Sequence, residues 1–170
     1  RLDLGQIHDL TDYSTHIETL RDLKDEGHIR YIGITASRHG YAVDMERLMH
    51  TDGLDFVQLS YSLDERRAAE RLLPTAVDLG VAVIVNRPFG GGNFFRRVGA
   101  RALPDWASEF DCTSWAQFVL KYIISHSAVT CVVPGTRRDD HVTDNLGAAY
   151  GRLPDAGLRI RQEQLFDSIG

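Results

Sequence analysis

Five short apolar segments recur along the chain, each followed by a stretch with helical spacing, and this alternation limits the possible folds more than any other feature. They are LDLGQIH at 2–8, RYIGIT at 30–35, DFVQLSY at 55–61, VAVIVN at 81–86 and VTCVV at 129–133. Most are continuous runs instead of apolar–polar alternations, the pattern of strands covered on both faces in parallel sheets. Helices are expected between and after them, at about 15–26 and 43–50, around Leu72, Leu73 and Ala76, around Trp115, Phe118, Val119 and Tyr122, and at 139–149. Ser114, with Gln117 three residues on, has the spacing of a capping box at the start of one of these.

Parallel strands joined by helices leave two architectures open, a doubly wound sheet or part of an eight-stranded barrel. A doubly wound nucleotide-binding domain carries GxGxxG after its first strand, and here that strand ends in GQIHD. A complete barrel takes about 250 residues. A chain of 170 residues therefore supplies five of the eight units, expected to form a single domain over 1–170.

A net charge of -5 argues against a nucleic acid or an anionic membrane held mainly by charge. Of the two cysteines, Cys112 and Cys131, neither belongs to a CxxC, and Cys131 inside VTCVV is expected to be a buried thiol. No apolar stretch reaches membrane-spanning length and no N-terminal signal is present, so the cytoplasm is the expected location.

In parallel α/β folds ligands lie at the carboxyl ends of the strands. Those ends carry Gln6 and His8, then Thr35, then Gln58 and Tyr61, then Asn86 and Arg87, then Gly135 and Thr136, all polar or small. His8 can polarise a carbonyl or share a proton with a neighbouring acid, or it can be a hydrogen-bonded core histidine. A metal would need more ligands at the strand ends than nearby Asp9, and none is expected. His16, His28, His39, His50 and His126 read as surface residues. The stretch VVPGTRRDDHVTDN, 132–145, offers free N–H groups, Arg137, Arg138, His141 and Asn145 to an anion at a helix start. The same stretch also reads as a plain strand-to-helix turn with solvated arginines. The Gly-rich segment 87–111 reads as a functional loop, with Phe94, Phe95 and Trp106 as apolar walls or as packing.

QIH at 6–8, DEGHIRYIGIT at 25–35, DFVQLSYS at 55–62, RPFGGG at 87–92 and VVPGTRRDDHVTDNLGA at 132–148 resemble, in order and spacing, the second half of the aldo/keto reductases. The resemblance implies a partial (β/α)8 TIM barrel, here the fourth to eighth units, and reduction of a small aldehyde or ketone substrate by NADPH or, less often, NADH. It implies that His8 orients the substrate carbonyl and that Thr35 and Gln58 hold the nicotinamide carboxamide. Arg87, Phe89 and Gly91 would border the pyrophosphate. Gly135, Thr136, Arg137, His141 and Asn145 would hold the adenosine 2′-phosphate and the adenine. The chain departs from the family at Ala36, where the family has Asn, at Asn86, where many members have an aromatic ring, and at Gly135, where some have Lys. An arginine near Gly135 can supply the missing charge, so NADP is expected ahead of NAD. The family's proton-donating Tyr, with its Lys and Asp, comes from the first three barrel units, which these residues do not include. Alone, the chain is therefore expected to be a poor catalyst. Two further readings stay open: a non-catalytic nucleotide-binding module that self-associates through open sheet edges, and a doubly wound domain binding a flavin or phosphate.

Overall fold

A computed structural model describes residues 1–37 and 39–169, with the side chain of His39 outside the described set. The apolar segments become strands β1 (Leu2–His8), β2 (Ile29–Thr35), β3 (Phe56–Ser60), β4 (Ala82–Asn86) and β5 (Val129–Val132). They form one sheet in sequence order, every neighbouring pair parallel. Helices α1 (Tyr13–Asp25), α2 (Ala42–Thr51), α3 (Leu72–Leu79), α4 (Asn93–Val98) and α5 (Trp115–Ile124) fill the connections. Beyond β5 come α6 (Asp139–Gly147) and α7 (Ala156–Ser168). Among the described residues no helix is long and apolar enough to cross a membrane.

Strand alternation sends Ile32, Ile34, Val57, Leu59, Val83 and Val85 toward the helices, each 2% exposed or less. They join Met45, Leu48, Leu73, Ala76, Phe118 and Val119 in the core. On the opposite side the register sets His8 beside Thr35, Thr35 beside Gln58, Gln58 beside Ile84, and Ile84 beside Cys131. This is one row across all five strands. Gly33 is required where β2 meets β3, because a Cβ there would lie 2.5 Å from the Phe56 carbonyl oxygen.

Several expectations need correction. Cys131 is exposed, because β5 pairs, among the described residues, only with β4 and stands at the edge of the sheet. The segment 87–111 is largely helical: left-handed Gly90, Gly91 and Gly92 lead directly into α4, and Asp105–Phe110 forms a 3-10 helix. His126 is not a surface residue, since its ring stands edge-on to Tyr61 at 5.6 Å and its Nδ1 accepts from the Ala128 N–H. The surface reading of His39 lies outside the described residues.

The capping box forms with a variation. Ser114 Oγ accepts from the Gln117 N–H at 3.1 Å, while Gln117 Oε1 reaches one residue further back, to the Thr113 N–H. Gln117 Nε2 then donates to Asp144 Oδ1 at 2.8 Å, tying α5 to α6. Helix α7 starts at Asp155, whose carboxylate accepts from the Leu158 N–H. It is pinned through buried Gln162 to the Phe118 carbonyl, through Glu163 to the Tyr122 hydroxyl, and through Asp167 to Arg66. Arg159 stacks on Tyr122 and donates to the Tyr61 hydroxyl. Burial first, then the Glu163 carboxylate, pushes the Tyr122 phenol far above its ordinary pKa, so it stays a donor.

Candidate active site

At the carboxyl ends of β4 and β5 the chain forms a cleft of about 890 Å³. The turn after β5 and the start of α6 supply one wall, through Gly135, Thr136, His141, Asp144 and Asn145; Phe89, Phe95 and Trp115 supply an aromatic one. Phe89 and Phe95 touch at 5.0 Å between ring centres. Trp115 is fixed by donating its indole N–H to the Arg101 carbonyl at 2.8 Å. Thr136 Oγ1 accepts from the Arg138 N–H at 3.2 Å and lies 3.5 Å from His141 Nδ1. The turn is thus held in shape by its own side chains.

A second, polar cavity of about 610 Å³ lies beside the first and is lined by Asp9, Ser37, Ser60, Ser62, Asp64, Glu65, Arg87, Gly90 and Asn93. Arg87 lines both cavities and joins them. Ser60 Oγ donates to Asn86 Oδ1 at 2.8 Å, and Arg97 holds Asp64 at 3.1 Å. At the far end Asp9 Oδ2 lies 3.5 Å from His8 Nδ1, while Asp9 Oδ1 is buried with no hydrogen-bond partner among the described residues. A carboxylate oxygen left in that condition is costly unless a ligand or water meets it. The backbone is strained at the same places: Asp9, Leu10, Asp12 and Arg87 adopt left-handed φ of 47–53° without being glycine.

The structure brings seven of the eleven residues singled out from sequence into one cleft: Arg87, Phe89, Gly91, Gly135, Thr136, His141 and Asn145. His8, Thr35 and Gln58 stand side by side in the pairing register, with His8 linked to the polar cavity through Asp9. Arg137 is exposed beyond the cleft and does not line it. Of the three aromatics offered as walls, only Phe95 lines the cleft; Phe94 is 1% exposed in the core and Trp106 packs on Phe118. Trp115, expected from sequence only as an apolar position of a helix, packs on Phe118 and also lines the cleft. Its place directly after the N-cap Ser114 was the available signal, since the first residue of a helix stands beside the loops. Ser37 and Ser60 carried no such signal.

The model of the Aldo/keto reductase family matches residues 1–160. The chain belongs to this family. One relative, the NADH-specific methylglyoxal reductase of Escherichia coli (strain K12), is 25% identical over 179 aligned positions, which cover 90% of this chain and 54% of the relative. The holo form of aldo-keto reductase AKR11C1 from Bacillus halodurans superposes with a TM-score of 0.73 at 25% identity, covering 96% of this chain and 60% of that one. An aldo/keto reductase from Klebsiella pneumoniae in complex with NADP and acetate superposes with a TM-score of 0.77 at 21% identity, covering 97% and 59%. This aldo/keto reductase chain thus spans a little over half the length of the relatives it matches, and its five βα units correspond to part of their barrel.

Proposed function

We propose that this chain supplies the cofactor site and the histidine of an NADP-dependent reductase acting on small aldehydes or ketones. The observation that carries the reading is the pair of cavities that share Arg87, one aromatic and apolar, the other polar and reaching Asp9, whose carboxylate lies 3.5 Å from His8 Nδ1. A dinucleotide needs that shape: room for an adenine, a cation at its pyrophosphate, and polar partners for ribose and carboxamide.

In this reading His141, Asn145 and Trp115 border the adenine, and Arg87 with the Gly91 turn meets the pyrophosphate. Thr35 and Gln58 hold the carboxamide. The reduced nicotinamide, when bound, supplies the hydride. His8 donates an N–H to the substrate carbonyl oxygen, and Asp9 beside it holds the ring's orientation. Neither lysine is free to assist a proton donor: Lys24 is bound to Asp55 at 2.6 Å, and Lys121 is buried. Without a positioned acid, reduction loses roughly 10²–10⁴ in rate, so the chain alone is read as a binder with poor turnover.

Relatives differ in cofactor form, one named NADH-specific and another holding NADP. The exposed Arg137 beyond the Gly135–Thr136 turn supports the phosphorylated form here. Arg137→Ala is expected to weaken NADPH binding about five- to tenfold, ~1–1.4 kcal/mol, while leaving NADH binding unchanged. Nicotinamide fluorescence titration of both cofactors checks this. Equal losses for the two would remove the 2′-phosphate role, and no binding of either would remove the cofactor reading.

A second reading, self-association, is favoured by the outer strands, each paired on one side only. A groove of about 520 Å³ runs beside β5, walled by Leu120, Ile124, Val132, Val142 and Leu146. Sedimentation across a concentration series is expected to show dimers under this reading; a monomer at every concentration would sink it.

A further inference from the structure

Arg137 and Arg138 are adjacent in sequence and differ in circumstance. Arg138 is already engaged: its Nε donates to Asp140 Oδ1 at 3.0 Å and its terminal nitrogen to Asp140 Oδ2 at 2.6 Å. Two parallel bonds of this kind are the fork geometry by which a guanidinium also grips a phosphate. The same fork cannot face both partners at once. The main chain adds to the restraint, since the Arg138 N–H donates to Thr136 Oγ1 inside the turn that borders the cleft. Asp140 lies in the first turn of α6 together with Asp139, so two carboxylates stand where the helix end would otherwise favour an anion. The Arg138 side chain is 64% exposed and that of Asp140 62%, so the pair sits in water and is exchangeable. Its hydrogen bonds pull the Asp140 carboxyl down to about 2, so it stays charged throughout the neutral range.

We infer that Asp140 limits this chain's preference for the 2′-phosphorylated cofactor by occupying Arg138. This rests on the cofactor reading given above and adds a residue that sets the choice between its two forms. A 2′-phosphate arriving beyond Gly135 and Thr136 meets Arg137 directly, but must compete with Asp140 for Arg138 and approach two negative charges. NADH carries no such phosphate and is indifferent to the competition.

The test measures NADPH and NADH dissociation constants by nicotinamide fluorescence for the wild type, Asp140→Asn, Asp140→Glu, and Asp140→Asn combined with Arg138→Ala. Asp140→Asn is expected to tighten NADPH roughly two- to fivefold and leave NADH unchanged, the gain fading at high salt. Asp140→Glu keeps the carboxylate and is expected to keep the wild-type ratio. Adding Arg138→Ala is expected to cancel the gain, because the freed guanidinium carries it. Parallel tightening of both cofactors, or a gain that survives without Arg138, overturns the inference while leaving the cofactor reading intact. Failure of every variant and the wild type to bind either nucleotide overturns both.

Discussion

Phe94→Ala is expected to lower stability by about 3–5 kcal/mol, read as a lower urea midpoint with an unchanged slope. Phe94 is 1% exposed and lies stacked on Phe166 at 5.4 Å, with Phe95 and Trp115 edge-on at 5.4 and 6.1 Å. Removing the ring deletes transfer energy and opens a cavity among aromatics that α4, α5 and α7 hold in place. A loss of this size is a large share of the roughly 5–15 kcal/mol that keeps a domain folded. It also reaches the cleft, since Phe95 and Trp115 each present another edge to it. Nucleotide affinity is therefore expected to fall further than the unfolded fraction alone accounts for. A loss below about 1 kcal/mol would show that the ring is not locked in a packed core.

Lys121→Met is expected to cost about 2–3 kcal/mol at neutral pH, measured by urea unfolding. Lys121 on α5 is 0% exposed, and its ammonium donates to the Tyr150 carbonyl at 2.6 Å and the Arg152 carbonyl at 2.9 Å. Both carbonyls belong to the segment between α6 and α7, which Arg152 also clamps by a bidentate pair with Asp111. Methionine fills the same space and donates nothing, leaving two acceptors facing the interior without partners. Burial acts the other way, holding the Lys121 pKa below its ordinary 10.5. In the window between that lowered value and 10.5 the unfolded chain binds more protons, so this group makes stability rise with pH. The methionine variant lacks the contribution, so its deficit relative to wild type is expected to widen across that alkaline window. Equal stability of the two proteins at neutral pH would show that the carbonyls find other donors.

The strands and most helices were legible because their signals are local. Runs such as RYIGIT and VAVIVN carry enough apolar residues to demand burial wherever they go, and Ser114 marks a helix start by its own chemistry. The cleft at the ends of β4 and β5 was legible for a related reason: Gly135, Thr136, His141 and Asn145 lie within a few residues of one another across a single turn. The polar cavity was not. Asp9, Ser37, Ser60 and Asn93 stand at or beyond the ends of four different strands, and only the sheet order sets them around one space. Cys131 was misplaced for the opposite reason, since its local run is apolar while its strand is an edge. Phe94 and Phe95 show the limit most plainly. They are neighbours of identical chemistry, and which one enters the core depends on where α7 lies.

That helix sits differently from the strands in the order of assembly. Chain order and spatial order coincide in the sheet, so the Ser60–Asn86 bond between β3 and β4 closes a span of 26 residues. The Arg66–Asp167 pair that seats α7 closes a span of 101. Loop entropy rises only by about 0.6 kcal/mol per doubling, so the fourfold longer closure costs roughly 1.2 kcal/mol more. The difference is small in free energy but large in sequence, because Asp167 is made 101 residues after Arg66 on the growing chain. During synthesis the sheet has its neighbours to hand, whereas Phe94 must wait for Phe166 of α7 to be covered.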